Sequence, residues 1–328
     1  EIQGSLCLGT SLNKLGYDHV FYVKIASGSV FSYLVNKGDA NAVRRTVNNI
    51  LLDGPSLRAY RHFPNVGKRK SWAAADASKR GIELSIISSH EDEIYESVQN
   101  EDKWGFETNF LDNSELEFGK DLNNWVIQNV LFKVLFPAEF HGQSAVEAAI
   151  ELSDEFNQNI NKLEKVNIYT HEPAVRIISN KDILKNASDR DHSLEYMVAA
   201  ALLYGVLKYD MYEESFQGFE KINNLRKKIF VTEEPQFTKD YYEFSKRHIS
   251  NSIEIVYNDN SISEKITIEN PIGHPSRRDE AVPLLKEKFL KNVKSLFDTE
   301  KALEVWDKII NLKKDDNLNV FFNILIEN

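Results

Sequence analysis

The sequence predicts an α+β protein in which a mainly helical body carries an inserted α+β lid. Apolar and small residues follow helical spacing over 20–35, 40–52 and 71–88, and helical patterns return from Arg277 onward. The middle of the chain instead alternates between helical patterns and short runs with the period-two pattern of strands. Helical ends around an α+β segment favour the insertion of one domain into another.

The predicted domain boundaries follow from these zones. Residues 1–132 form the first part of the helical body, with a polar and irregular stretch over 91–122. Residues 133–275 form the lid, and residues 276–328 return to the helical body. A chain of 328 residues has the length of one large or two ordinary domains.

Within the lid, the pattern predicts two helices and three strands. Their predicted ranges are 144–156 and 192–207 for the helices, and 166–169, 252–257 and 263–269 for the strands. The run Asn258-Asp259-Asn260-Ser261 is rich in turn-forming residues. The last two strands are therefore predicted to form a hairpin.

Composition and charge argue against several classes of function. The net charge of −10 and the pI of about 5.4 argue against nucleic-acid binding, which needs a broad basic face. No apolar run approaches the ~18–20 residues of a membrane span. The single cysteine, Cys7, leaves no disulfide framework within the chain and no Cys-rich metal site. No motif indicates a metal or a nucleotide.

One stretch departs from the acidic balance of the chain. No carboxylate occurs between Gly54 and Ala75, and residues 58–70, here called the cationic segment, contain Arg58, Arg61, His62, Lys68, Arg69 and Lys70. Like charges repel unless an anion lies among them. The segment is predicted either to bind a small polyanion through Arg forks and Lys charges, or to be a solvated loop facing acidic patches. On charge alone, the solvated loop is the more common case.

Other candidate residues stand at the ends of predicted elements. Glu139 and His141 precede a helix, where the dipole favours anions and lowers a histidine pKa, or where Glu139 only caps the helix. His171 follows a strand, a usual place for site residues but also for a structural turn. Asp189-Arg190-Asp191-His192 opens an apolar helix and is either part of a site or an N-cap with an ion pair. His19 precedes an apolar run, where a structural role is more usual.

Taken in order, these runs resemble the MmgE/PrpD family. The longest matches are R-A-Y-R-H-F-P-N-V-G-K-R-K-S-W-A-A-A from Arg58 and F-P-A-E-F-H-G-Q-S-A-V-E-A-A from Phe136. Shorter matches are E-I-Q-G at Glu1, D-H-V at Asp18, W-G-F at Trp104, T-H-E-P-A-V-R-I-I at Thr170, D-R-D-H-S-L-E-Y-M-V at Asp189 and P-I-G-H-P-S-R-R at Pro271. The resemblance covers nearly the whole chain and fades after about Phe289. Within the family, the two long runs favour the 2-methylcitrate dehydratases over the cis-aconitate decarboxylases.

The resemblance implies a homodimer that works without metal or organic cofactor on a tricarboxylate. The implied reaction is the elimination of water from 2-methylcitrate to 2-methyl-cis-aconitate, in the methylcitrate cycle of propionate catabolism. The alternatives are a cis-aconitate decarboxylase, another tricarboxylate or hydroxy-acid dehydratase of the family, or a non-catalytic truncated remnant. The implied compartment is the cytoplasm for a bacterial source and the mitochondrion for a fungal one.

The resemblance also implies an active site between the two domains, to which the cationic segment adds its charges. The catalytic residues are expected to be His19, Lys70, His141 and His192. The substrate-binding residues are expected to be Arg58, Arg61, His62, Lys133, Glu139, His171, Arg176 and Arg190. Cations would stabilise charge that builds on a carboxylate, and histidines would transfer protons. Which histidine is the acid and which is the base stays open.

The start of the chain carries one further expectation. The family has an N-terminal helical portion with an acidic, threonine- and histidine-containing segment that contributes to the site. The chain opens at Glu1-Ile2-Gln3-Gly4 without a methionine and is expected to begin after that portion. We therefore expect these 328 residues alone to have negligible dehydratase activity, because one wall of the site would be absent.

Overall fold

The computed structural model describes residues 1–62, 64–319 and 322–323. Contacts within the chain divide it into two compact units. The first unit consists of Glu1–Val130 and Leu184–Asp189, and the second of Leu131–Ile183 and the chain from Arg190 onward. The fold is α+β, as predicted, with a mainly helical body and one small mixed sheet.

The first unit is helical and contains the three long helices that the apolar patterns predicted. Its helices are α1 (Ile2–Gly9), α2 (Val20–Val35), α3 (Ala40–Asp53), α4 (Arg69–Ser88), α5 (Phe106–Phe110) and α6 (Trp125–Asn129). Helices α2, α3 and α4 all pack on one another. Their shared core contains Ile25, Ile50 and Leu84, and Phe106 of α5 stacks on Phe21 at 5.1 Å between ring centroids.

Glycines allow α2 and α4 to approach closely. A Cβ atom at Gly81 would lie 2.4 Å from the backbone oxygen of Lys24, and one at Gly28 would lie 2.9 Å from the backbone oxygen of Gly81. Only residues without a side chain permit this separation. The hydroxyls of Ser27 and Ser78 meet across the same pair of helices at 2.9 Å. Small residues therefore set the distance between the two helices that lead away from His19 and the cationic segment.

The second unit contains a four-stranded sheet. Its strands are β1 (Leu163–Thr170), β2 (Ile229–Glu233), β3 (Asn251–Tyr257) and β4 (Ile266–Ile268), in the spatial order β2-β1-β3-β4. β1 pairs with β2 in parallel and with β3 antiparallel, and β3 pairs antiparallel with β4. The predicted hairpin is therefore confirmed. Strand β2 was missed because it is an edge strand, largely exposed beyond Ile229, and its alternation is weak.

The remaining helices lie before, between and after these strands along the chain. They are α7 (Gln143–Glu151), α8 (Ser153–Asn159), α9 (Glu172–Ile178), α10 (Ala187–Arg190), α11 (Leu194–Tyr204), α12 (Phe219–Arg226), α13 (Pro235–Tyr242), α14 (Arg278–Val293) and α15 (Thr299–Ile310). The alanine face of α7 is fully buried, and α7 packs against α11 and β3. Among the described residues, none of these or the earlier helices combines the length and apolar character needed to cross a bilayer.

Two helix predictions in this unit need correction. The helix predicted over 144–156 is two helices, α7 and α8, which meet at Leu152. The helix predicted from His192 begins at Leu194, and its N-cap is Ser193, whose hydroxyl accepts the backbone N–H of Tyr196. A serine cap satisfies an N–H of the first turn directly, so the charged residues before it are not needed as caps.

The C-terminal helices group with the second unit. Ala281 of α14 is buried in a cluster with Val134 and Ile272, whereas the sequence analysis assigned residues 276–328 to the helical body. The short segment Leu184–Asp189 groups instead with the first unit, where Asn186 Nδ2 donates to the backbone oxygen of Val66 at 3.2 Å. The two units are defined only by how densely residues contact one another within the chain. The predicted division into a helical body, a lid and a returning C-terminal segment therefore stays a prediction.

The close approach of α2 and α4 gives a test of stability. We expect Gly81→Ala to lower the free energy of unfolding by about 1–3 kcal/mol, because its methyl group would collide with a backbone oxygen and force the helices apart. The higher helix propensity of alanine, worth about 1 kcal/mol, offsets only part of this loss. Denaturant unfolding followed by circular dichroism measures the change.

Gly67→Ala is the matched control for this variant. Among the described residues, the one atom within 4 Å of a Cβ at Gly67 is a backbone oxygen at 3.8 Å, an ordinary contact distance. We expect the control to unfold like the parent protein. Equal stability of Gly81→Ala and the parent would contradict the tight contact between α2 and α4.

Candidate active site

The cationic segment leads into the N-terminus of α4. A short 3-10 turn at Ala59–Arg61 opens it, and α4 begins at Arg69 with no side-chain cap and no acidic residue in its first turn. Lys68, Arg69 and Lys70 thus stand at the positive end of the helix dipole, where cations are disfavoured and anions are stabilised. This end of the helix therefore favours an anion electrostatically, and its binding of a substrate stays a prediction.

A buried carboxylate lies beside this segment. Asp18, which is fully buried, accepts hydrogen bonds from Arg61 Nε at 2.7 Å, from the Tyr60 hydroxyl and from the backbone N–H of Val20 at 3.2 Å. Burial alone would raise the pKa of Asp18, but the hydrogen bonds and the charge of Arg61 outweigh it and hold the pKa below its usual range. Asp18 therefore stays ionised and balances one cation of the segment.

Arg58 joins two histidines of the first unit. Its Nη1 atom lies 3.0 Å from Asn13 Oδ1 and 3.1 Å from His19 Nδ1, and its Nε donates to His62 Nε2 at 3.1 Å. A guanidinium group only donates hydrogen bonds, so both ring nitrogens accept. His19 Nδ1 also lies 3.3 Å from Asp18 Oδ1. The structure brings Arg58, Arg61, His19 and His62 together in the first unit, and their roles in a site stay predictions.

His19 is neutral at pH 7. Burial lowers its pKa to about 4; the charge of Asp18 opposes this effect, while the charges of Arg61 and Arg58 add to it. The side chain is 37% exposed, so this partly buried imidazole can still contact a ligand. His19 is therefore a neutral imidazole beside the cations Arg58 and Arg61.

A second group of predicted residues meets in the second unit. His141 Nδ1 lies 2.7 Å from His171 Nε2, and the ring of Tyr241 on α13 stacks on His171 at 4.8 Å with an interplanar angle of 12°. Burial lowers the pKa of His171 to about 3 and also lowers that of His141. His171 is completely buried, whereas His141 is partly exposed. Of this pair, only His141 is accessible to a ligand.

Other predicted residues around this pair are held by ion pairs and caps. Glu139 Oε2 accepts the backbone N–H of His141 at 2.7 Å, which is the capping role considered as the simpler alternative. Arg176 Nε donates to Glu172 Oε1 at 2.6 Å, and the Tyr242 hydroxyl donates to the same carboxylate at 3.0 Å. Arg176 therefore already has one carboxylate partner in this structure.

The last three predicted residues are Lys133, Arg190 and His192. Lys133 Nζ lies 5.1 Å from the centre of the Phe140 ring. Arg190 is 2% exposed, donates to the backbone oxygen of Tyr212 and lies over the ring of Phe219, so its contacts are those of a core residue. His192 Nδ1 lies 2.7 Å from Asp191 Oδ1. The roles of these residues in substrate binding or catalysis stay predictions.

Comparison with known proteins places the chain in a family. The family model of the MmgE/PrpD N-terminal domain matches residues 1–119, and that of the MmgE/PrpD C-terminal domain matches residues 136–313. The chain belongs to the MmgE/PrpD family. Within the part of the chain that is described, no group of three or more His, Cys, Asp or Glu side chains is arranged to hold a metal ion.

Several relatives share a name. The chain is 40% identical to a 2-methylcitrate dehydratase of Escherichia coli K12 over 311 residues, which is 93% of this chain and 64% of that protein. It is 37% identical to the mitochondrial 2-methylcitrate dehydratase of Yarrowia lipolytica over 328 residues, covering 98% of this chain and 63% of that protein. The identity to a 2-methylcitrate dehydratase of Cupriavidus necator is 38% over 300 residues, or 90% of this chain and 62% of that protein. The chain thus spans less than two thirds of the length of these relatives.

Sequence reasoning missed two residues that organise these groups. Asp18 precedes His19 in the matched D-H-V run, and its position before an apolar helix was a signal for a buried partner of the cationic segment. Tyr241 had no such signal, because a tyrosine within a polar helix is usually a surface residue. Its role depends on packing between α13 and the end of β1.

The buried carboxylate gives a pH-dependent prediction. Asp18→Asn removes the charge that pairs with Arg61, so we expect it to lower the free energy of unfolding by about 3 kcal/mol at pH 7. The folded-state pKa of Asp18 lies below the unfolded value of about 3.9, so its stabilising contribution exists above that value and is lost as the pH falls below it. Denaturant unfolding at pH 7 and at about pH 3 measures both effects.

The control for this prediction is Asp121→Asn, which changes the same charge at an exposed position. We expect the control to match the parent protein within about 0.5 kcal/mol. The stability difference between Asp18→Asn and the parent should shrink at the acidic pH. A difference that stays constant across this range would show that Asp18 contributes nothing through its charge.

Proposed function

We propose that the protein is a hydro-lyase that eliminates water from 2-methylcitrate to give 2-methyl-cis-aconitate, as part of propionate catabolism. The observation that carries the proposal is the contrast between permanent cations at the start of α4 and buried histidines with lowered pKa values. This contrast suits a polyanionic substrate whose protons must be moved near neutral pH. The names of the relatives support the same reaction.

The reaction needs no oxidant or reductant. A base removes the proton from the carbon next to a carboxylate, and the electron pair of that C–H bond forms the carbon–carbon double bond. The C–O bond of the neighbouring carbon breaks, and its hydroxyl leaves as water after receiving a proton from an acid. Charge builds on the carboxylate beside the deprotonated carbon, so fixed cations lower the barrier there.

The residues divide between these tasks. We propose that Lys70, Arg58 and Arg61 bind carboxylates, with Lys70 stabilising the charge that develops, since it stands in the first turn of α4. His19 and His141 transfer or direct protons, because both are neutral at pH 7 and keep some exposure. A neutral imidazole can accept a proton or offer an N–H group without competing for the carboxylates as a cation does.

Assembly and compartment are also proposals. We propose that the protein acts as a homodimer, which sedimentation velocity of the purified protein would test. The compartment depends on the source: one relative, from Yarrowia lipolytica, is named as mitochondrial.

Lys70 provides the sharpest test of the site. We expect Lys70→Ala in the full-length protein to lower kcat for 2-methylcitrate by about 100-fold or more, because one cation that stabilises the transition state is lost. The unfolding temperature should stay nearly unchanged, since Lys70 is partly exposed. Absorbance of the unsaturated product measures turnover, and parallel CO2 release from cis-aconitate detects a decarboxylase instead.

Lys79→Ala is the matched control, because Lys79 lies on the same helix with a side chain that is 73% exposed. Its turnover should equal that of the parent protein. Near-normal kcat in Lys70→Ala would overturn the role of this lysine. Release of CO2 without hydration or dehydration of tricarboxylates would overturn the proposed reaction itself.

A further inference from the structure

Two histidines of the second unit form a hydrogen-bonded chain that ends on a backbone carbonyl. His171 Nδ1 lies 3.4 Å from the backbone oxygen of Ser250 and 3.4 Å from the hydroxyl of Thr170. The carbonyl can only accept a hydrogen bond, whereas the hydroxyl can donate or accept. The hydrogen of neutral His171 is therefore placed on Nδ1, which leaves Nε2 as an acceptor.

The direction of this first hydrogen bond determines which histidine donates in the hydrogen bond between the two rings. His171 Nε2 lies 2.7 Å from His141 Nδ1, so His141 must donate from Nδ1. The opposite direction would place the lone pair of His171 Nδ1 against the Ser250 carbonyl. A neutral His141 with its hydrogen on Nδ1 has its lone pair on Nε2, and Nε2 is the ring nitrogen that the pair leaves available.

The surroundings hold both rings in this geometry. The backbone N–H of His141 donates to Glu139 Oε2 at 2.7 Å, and its backbone oxygen accepts from Asn251 Nδ2 at 2.9 Å. Tyr241 stacks on His171, and its ring centroid lies 5.5 Å from that of His141. Burial raises the pKa of Tyr241, so its ring stays uncharged. Main-chain bonds thus position His141, and ring packing fixes the plane of its partner.

We propose that His171 is a positioning residue that holds His141 in the tautomer of a general base, with the lone pair on Nε2. The base role rests on the proposed function, whereas the tautomer rests only on the hydrogen bonds of the second unit. His171 was expected to bind substrate, but its complete burial places it behind His141 and out of reach of a ligand. The sequence analysis left the acid and the base unassigned, and this geometry assigns the base to His141.

Burial keeps the histidine pair neutral before reaction. Burial lowers the pKa of both histidines. Four charged or titratable groups also act on His141. The carboxylates of Glu139 and Glu172 raise its pKa, whereas Arg176 and His192 lower it. After His141 takes a proton on Nε2, its cation faces a neutral imidazole rather than a carboxylate. The proton is therefore held weakly and can be released readily to water or product.

Nuclear magnetic resonance tests the tautomer without any assay of activity. Long-range ¹H–¹⁵N correlation spectra of protein with ¹⁵N-labelled histidine distinguish ring nitrogens that carry a hydrogen from those that do not. The set of signals that disappears in His141→Gln is assigned to His141. We expect His141 of the unmodified protein to show hydrogen on Nδ1 and a bare Nε2 near neutral pH. A hydrogen on Nε2 of His141 would overturn the proposal.

Variants of His171 test its effect on His141. His171→Leu removes the acceptor, so His141 should become a mixture of tautomers and kcat for 2-methylcitrate should fall by about 100-fold, with KM little changed. His171→Gln keeps an amide oxygen as an acceptor, so it should retain the Nδ1–H tautomer and restore kcat to within about 10-fold of the parent. His90→Leu, at an exposed histidine in the first unit, is the control and should change neither readout.

The outcomes separate this proposal from the proposed function. Unchanged spectra and unchanged kcat in His171→Leu would overturn the positioning role. If the leucine variant fails to fold, the spectra of the unmodified protein and of His171→Gln still decide the tautomer. A protein that shows the expected tautomer but releases CO2 from cis-aconitate without dehydrating 2-methylcitrate would retain the hydrogen-bonded chain and reject the dehydratase reaction.

Discussion

The buried ion pair between Asp18 and Arg61 is the interaction on which the arrangement of the first unit depends. It joins the start of α2 to the cationic segment, and backbone hydrogen bonds reinforce it: Asp18 N–H donates to the Ser56 oxygen at 2.8 Å, and Arg58 N–H to the Gly16 oxygen at 3.0 Å. Desolvation offsets much of the attraction in a buried pair, so its main effect is on geometry rather than on stability. That geometry brings the guanidinium of Arg58 to His19 and His62.

Burial leaves the arginine side chains of this protein charged but makes its buried histidines neutral. Arginine stays charged because its intrinsic pKa is very high, whereas the pKa values of His19, His141 and His171 fall when water is removed from around them. The same packed environment therefore produces permanent cations next to neutral imidazoles. A surface site with the same residues would contain partly protonated histidines near neutral pH.

The cationic segment acts over short distances. The whole chain carries a net charge of −10, which repels polyanions at long range. Salt screens exposed charges beyond about 8 Å at physiological ionic strength, so an approaching anion responds mainly to the charges nearest to it. The start of α4, where three cations meet the positive end of a helix, is therefore attractive to an anion despite the acidic surface elsewhere.

The sequence alone determined the features that depend on local spacing: the three long helices of the first unit, the hairpin of β3 and β4, the cationic segment and the family. It could not reveal how Arg58 orders His19, or that His171 lies behind His141 with its Nδ1 facing Ser250. Helix and strand patterns repeat every few residues, so a short window reports them. The direction of a hydrogen bond between two imidazoles depends on groups far apart in the chain, and only tertiary packing brings those groups within 3.5 Å.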